Sequence, residues 1–427
     1  MNKFYLLVLT FLAGVPTLFA QPCNGGRYAS DISANVTITS DVNFGSNLSF
    51  TGSNTQLDLD VYEPTGDTET ARPLIVWAHG GSFIGGSKTD PDVTELCDRF
   101  AKKGFVCASI DYRTGMWPID SSNAIKALLR AEQDLRAAVR FFYADAAGSD
   151  VYKIDTTKIF IGGSSAGAIT AMHMAYLDKD CEIEEFMSLT ELNSMGGLEG
   201  TSGNPGYSSD VAGVINLCGA LARYGWIEAG DVPFVSLHGD DDGTVPYARG
   251  AASVSGFEVM FLDGSRLLNA YADVEGVDNA IYTHYGGGHA VYVASTAYMD
   301  TTVNFVRDFL IDQFGCTDTP LQPANAPSGN ADFYPLFFCG LGLETTSVDM
   351  IQSIYPNPSS DQVNVVFADN VTLNEIVLLD LSGRIVNSFE VNSNQLVIHK
   401  GDLTPGIYIL KSTDENGVVN TSKIIFR

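Results

Sequence analysis

Basic residues are scarce in this chain. Against 51 Asp and Glu it carries only 24 Lys and Arg, a formal net charge of −27 over 427 residues. With no basic surface to meet phosphates, nucleic acid and anionic membrane are excluded as partners. Histidine is also rare, with only His79, His173, His238, His284, His289 and His399, so any imidazole base comes from a short roster. None of the seven cysteines (Cys23, Cys97, Cys107, Cys181, Cys218, Cys316, Cys339) stands in a CxxC spacing, which leaves a structural zinc site or redox dithiol without support. Their odd number leaves at least one thiol unpaired within a monomer. The aspartates of GDDD lack the D-x-D-x-D spacing and downstream glutamate of a calcium loop.

What is present is globular. Apolar residues make up 45% and aromatics 11%, enough for a large core and an accessory module. The N-terminal MNKFYLLVLTFLAGVPTLFA has Lys3 ahead of an apolar run from Phe4 to Val15, breaks at Gly14 and Pro16, and ends in the small residue Ala20. That pattern predicts a cleaved signal peptide over 1–20 and a secreted or cell-surface protein.

From residue 56 to 312 short apolar strands alternate with helical patterns. LIVWAH, FVCASI, KIFIGG, VINLCG and PFVSLHG are near-continuous apolar runs, as strands buried on both faces require, while QLDLDVY alternates like a half-exposed strand. DPDVTELCDRFAKKG and NAIKALLRAEQDLRAAVRFFYAD have helical spacing. The expectation is an α/β domain over 21–315 with a mostly parallel sheet flanked by helices. The Gly, Ser, Asn and Pro of residues 180–210 read either as a lid or pocket wall or as a solvated loop. Residues 316–347 read as a linker, and 348–427 as a small all-β sandwich of short strands separated by turns.

The chemistry centres on KIFIGGSSAGAITAMHMAY, in which a buried strand runs through glycines into a serine and then a helix. In that context Gly163-Ser164-Ser165-Ala166-Gly167 is a nucleophile elbow, and Ser165 is its central residue. Ser164, one residue earlier, points back toward the sheet and satisfies a local hydrogen bond. A serine hydroxyl needs a base, and the base an orienting acid, in chain order Ser, acid, His. His79 and His173 precede or hug the elbow, and His399 lies in the second domain. His289, in the glycine-rich THYGGGHAVY loop, is the candidate base, with His284 read as structural. The acid lies among Asp240, Asp241 and Asp242 of PFVSLHGDDDGTVPY, and order alone does not separate the three. The N–H groups of Gly81 and Ser82 in AHGGSFIGGSK, with that of Ala166, are candidate oxyanion donors. Phe83, Met116 and Trp117 read either as pocket walls or as core packing.

Taken together, AHGGSFIGGSK, SIDYR, EQDLRAAVRFF, GGSSAG, HGDDDGTVPY and GGGHAVY resemble a carboxylesterase or lipase of the α/β-hydrolase superfamily with an HGG oxyanion loop. The resemblance implies an acyl-serine intermediate hydrolysed by water, with no cofactor or metal, and selects Asp242 as the acid. It departs at Ser82, where many relatives carry a third glycine. The substrate class it implies is a short-chain, aryl or carbohydrate ester. A serine peptidase of the same fold and a catalytically silent surface binding module are the alternatives. SIYPNPSSDQVNV, VLLDLSGRIV, LTPGIYILKS and SKIIFR resemble the C-terminal sorting domain of type IX secretion substrates, which implies the outer-membrane secretion machinery as a partner.

Overall fold

The computed structural model describes residues 26–316, 324–327, 331–334, 350–368, 372–380, 384–389, 394–414 and 419–427. The expected signal peptide, and all of the expected linker except Cys316, 324–327 and 331–334, lie outside these residues. The chain divides into two units, Met1–Phe337 and Phe338–Arg427.

The first unit is built on one eight-stranded sheet. In chain order its leading elements are β1 (Val36–Leu48), β2 (Asn54–Pro64), β3 (Arg72–Ala78), α1 (Pro91–Lys102), β4 (Val106–Ile110), α2 (Ser121–Ala147), β5 (Ile154–Ser164) and α3 (Ala166–Tyr176). Two short helices, α4 (Asp180–Ile183) and α5 (Leu189–Ser194), precede β6 (Gly213–Leu217), β7 (Ala220–Leu221), β8 (Phe234–Gly239), β9 (Arg249–Val254) and β10 (Phe257–Gly264). Helix α6 (Ser265–Glu275), β11 (Asn279–His284) and α7 (Thr296–Gln313) complete it. The sheet order is β1-β2-β4-β3-β5-β6-β8-β11. All pairings from β4 to β11 are parallel, and β1 and β2 add an antiparallel edge.

Strands β3, β4, β6 and β8 are buried along their whole length because helices cover both faces of the sheet. One apolar cluster packs α2 and α3 on one face, and a second packs α1 and α7 on the other. Strand β2 departs from the half-exposed expectation. From Leu57 onward it alternates only weakly and is mostly buried, because β1 and β4 flank it and α1 packs on it.

Residues 180–210 do not form a loose loop. They dock on α2 through polar contacts to the backbone. Gln133 Nε2 donates to the carbonyls of Met195 (3.1 Å) and Gly197 (2.7 Å), and Arg140 Nε to that of Gly203 (3.0 Å). Ser202 Oγ donates to Asp134, which is itself paired with Arg113 inside the unit. These contacts partner Gln133, Asp134 and Arg140 among the polar residues that α2 buries.

The described parts of the expected linker also pack. Thr283 N–H on β11 donates to the Asn325 carbonyl at 2.9 Å, so residues 324–327 cover the edge of the sheet. Tyr334 OH donates to Asp263 on β10, and Arg249 of β9 lies over the Tyr334 ring at 3.8 Å.

In the second unit the pairings between the described strands are antiparallel. β12 (Ile351–Tyr355), β13 (Gln362–Phe367) and β16 (Gln395–His399) form one sheet. β14 (Leu373–Leu379), β15 (Ile385–Phe389), β17 (Gly406–Asp414) and β18 (Val419–Phe426) form the other, ordered β15-β14-β17-β18. Val363, Val365, Phe367, Leu378, Ile398, Leu410 and Phe426 make its core.

Candidate active site

The turn from β5 into α3 is forced by close backbone packing. A Cβ added at Gly163 would lie 2.3 Å from the Gly167 carbonyl carbon, and one at Gly167 would lie 2.0 Å from the Ala78 carbonyl oxygen. Only glycine fits at either position. Between them Ser165 takes φ 54° and ψ −116°, a left-handed backbone that a serine adopts only when its surroundings over-determine it. The turn is held by Ser165 N–H donating to Leu217 O (2.9 Å) and by Ile169 N–H donating to Ser165 O (2.9 Å). Ser164 turns away and hydrogen-bonds the buried Tyr292 hydroxyl.

Two further loops at the same sheet edge deliver the partners. Asp242 follows β8 and His289 follows β11. His289 Nδ1 lies 2.7 Å from Asp242 Oδ2, and Nε2 lies 2.8 Å from Ser165 Oγ. An ionised carboxylate only accepts, so Nδ1 carries the proton and Nε2 is left to accept from the serine hydroxyl. The Asp242 side chain is fully buried. Its other oxygen accepts the N–H groups of Thr244 (2.8 Å) and Val245 (3.0 Å), and His238 Nε2 stands 3.2 Å from Oδ2. Burial alone would raise its pKa, but hydrogen bonds from His238 and His289 hold the carboxyl well below its usual range. For His289 burial disfavours the cation, yet the Asp242 carboxylate and the neighbouring Cys218 outweigh it and raise the imidazole above 6.5.

Of the three aspartates, only Asp242 is brought to His289. Asp240 is exposed and accepts the Gly286 N–H at 2.6 Å, and Asp241 is exposed. His284 ends β11, its ring packed beside Tyr282 and Tyr298. His173 is buried in α3, its Nδ1 donating to Ile169 O (2.8 Å) and its Nε2 accepting the Ala222 N–H (3.2 Å), and burial pushes its pKa down to about 4.

The HGG loop lies against the serine. A Cβ on Gly80 would fall 3.6 Å from Ser165 Cβ. Gly81, Ser82 and Phe83 all have positive φ (108°, 55° and 61°), which coils the loop tightly. His79 organises it: buried, stacked on Tyr112 at 4.2 Å, with Nδ1 bonded to Gly80 O at 2.6 Å. Among the described residues no backbone hydrogen bond uses the N–H of Gly81, Ser82 or Ala166. The first N–H groups of a helix have no intrahelical acceptor, which frees that of Ala166 for a ligand.

A pocket beside Ser165 is lined by Phe83, Met116, Leu128, Ile169, Val245 and Met260, among others. Phe83 and Met116 take the pocket-wall reading, whereas Trp117 is 76% exposed. No described residue of 180–210 lines this pocket. Its outer wall is the β9–β10 hairpin, which contributes Ala252, Val254, Val259, Met260 and Leu262. Sequence reading missed this hairpin, although Ser255-Gly256 between two alternating stretches carried the signal. Both residues have positive φ, as a two-residue hairpin turn requires. Cys218, just past β6, and Tyr292 were also missed. They reach the site through sheet order, which no local spacing encodes.

Residues 59–198 match the BD-FAE family model, and residues 353–427 match the Secretion system C-terminal sorting domain. The first unit has the α/β-hydrolase fold and carries the BD-FAE match, and the second carries the sorting-domain match. A curated relative, Lipase 1 of Geotrichum candidum, is 30% identical over 123 residues, 27% of this chain and 21% of that protein. The chain thus spans about a fifth of that relative's length. Thermogutta terrifontis esterase 2 phosphorylated by paraoxon superposes at a TM-score of 0.48 with 18% identity, covering 67% of this chain and 97% of that one. A truncated carbohydrate esterase from gut microbiota gives 0.47 at 20% identity, covering 65% and 96%.

Proposed function

We propose that this protein is an exported serine hydrolase of carboxylic esters. The observation that carries the reading is the continuous hydrogen-bonded chain from Ser165 Oγ through His289 to Asp242. Ser165 attacks the ester carbonyl while His289 Nε2 takes its proton. Asp242 keeps the imidazole in the required tautomer and stabilises the imidazolium. The N–H groups of Gly81, Ser82 and Ala166 receive the oxyanion. The imidazolium then protonates the departing alcohol, and a water activated by the same nitrogen releases the acid. The apolar lining beside Ser165 suits a short acyl chain, with the alcohol part an aryl or carbohydrate group. A cleaved N-terminal signal and recognition of residues 353–427 by the type IX machinery would carry the enzyme to the surface or beyond it.

The test is hydrolysis of p-nitrophenyl esters from acetyl to dodecanoyl by the full chain and by Ser165→Ala. Loss of roughly 10⁴-fold or more in kcat is expected in the variant. Equal turnover by the variant, or none by folded wild type, would overturn the reading, and the second result would favour a silent binding module.

A further inference from the structure

Cys218 is a free, buried thiol at the back of the candidate site, and the mechanism above does not use it. Its Sγ, a carboxylate oxygen of Asp242 and a ring nitrogen of His289 all lie within 4.8 Å of one another. One soft, one borderline and one hard donor therefore converge, and each comes from a different segment of the sheet edge. With Cys218 and Asp242 ionised and His289 neutral, the cluster carries two negative charges, the complement of a divalent cation.

We propose that these three side chains form an inhibitory site for a thiophilic divalent cation of the zinc and cadmium class. Bond lengths of about 2.0–2.3 Å around a tetrahedral ion place ligand atoms roughly 3.3–3.8 Å apart, so donors within 4.8 Å of one another need shifts of about an ångström. Three protein ligands leave a fourth position for water. The Cys218 proton leaves to solvent as the thiolate binds. The cation occupies the imidazole lone pair, or it displaces to solvent the proton shared between His289 and Asp242 and binds in its place, and either event removes the base. Hard ions such as magnesium and calcium gain little from a thiolate and are rejected. Cys97 and Cys107, the other free thiols among the described residues, sit in the apolar cluster of Trp77 and Phe100 and do not belong to this constellation.

The binding arm of the test stands without the hydrolase reading, and the inhibition arm rests on it. Cadmium chloride is titrated into the full chain while the ultraviolet thiolate-to-cadmium charge-transfer band and ester hydrolysis are followed. The expected result is one cation per chain, a band that rises as activity falls, and reversal of both by a chelator. Cys218→Ser should remove the band and raise the inhibitory concentration at least about tenfold, because the soft donor selects the ion. His289→Gln, which keeps the thiol, should weaken the binding that the band reports, and Cys218→Ala serves if the serine variant fails to fold. Ser165→Ala should bind cadmium like wild type even though it turns over no ester. A wild-type protein with no band, or a band and inhibition unchanged in the Cys218 variants, would overturn the proposal. If no ester is hydrolysed at all, the proposed function falls and the band in Ser165→Ala still decides the metal site.

Discussion

The Cβ that Gly167 lacks would sit 2.0 Å from the carbonyl oxygen of Ala78, far inside van der Waals contact. This one approach ties the first turn of α3 to the end of β3, and so holds Ser165 beside the HGG loop that follows that strand. Gly167→Ala must therefore push α3 off the sheet. Overpacking against backbone costs about 1–3 kcal/mol or more. The expected outcome is a lower melting temperature together with loss of ester turnover, since even a small displacement separates Ser165 from His289. Thermal unfolding and kcat measured side by side check it. Wild-type values for both would mean that the helix accommodates a methyl without moving.

On the proposed mechanism the His289–Asp242 pair sets the pH dependence. Asp242 stabilises the imidazolium and raises the histidine above its ordinary 6.5. The base works only when neutral, so activity is lost as pH falls through that raised value and returns as pH rises. The acid limb of kcat/KM should lie above pH 6.5. Asp242→Asn removes the charge that holds it there, so the limb should move down while kcat falls by roughly 10⁴-fold through loss of the correct tautomer. A limb that stays put in the variant would mean that another group controls it.

Much of this site was legible because its parts are punctuated locally. The elbow, the HGG turn and the acid-bearing loop each follow a buried apolar strand, and glycines mark the places where backbones touch. The choice of Asp242 over its neighbours was not visible from the residues alone. Asp240 and Asp241 differ from it only in which way a tight turn aims them, and the resemblance, not the spacing, selected among the three. The pocket wall was hidden for another reason. β10 lies outside the main sheet, between β9 and the short β7, in a small antiparallel excursion that the rhythm of buried strands obscures. Residues 180–210 misled in the opposite sense, since their Gly, Ser and Asn read as loop chemistry, yet they serve buried polar side chains of α2 that cannot be left unpaired.

Because the hairpin, and not residues 180–210, walls the pocket, acyl selectivity should be adjustable from β10. Met260 lines the pocket and is partly buried. Met260→Ala should extend the range toward longer p-nitrophenyl esters, and Met260→Trp should confine it to acetyl. The ratio of kcat/KM for octanoate to that for acetate reads this directly, with a change of about 10-fold or more for a few methylenes. An unchanged ratio in both variants would move the acyl group to a different wall.

The hairpin itself hangs on Asp263. That side chain is fully buried and collects the Tyr224 N–H (2.8 Å), the Tyr334 hydroxyl (2.5 Å) and the Arg249 guanidinium (3.0 Å). It thereby joins β10 to residues 331–334 and to the turn after β7. Asp263→Ala leaves a buried N–H without an acceptor and removes the partner of Arg249, which is itself about a third exposed. The loss should be roughly 2–4 kcal/mol of stability, less than for a fully buried pair because water screens the arginine. The hairpin should loosen before the sheet does. Amide exchange in 249–264 should then rise far more than in β3 or β5, and KM should rise more than kcat falls, because the reacting atoms stand on the sheet and the pocket wall does not. Exchange that rises equally throughout would show Asp263 to be part of the global core, with no separate hold on the hairpin.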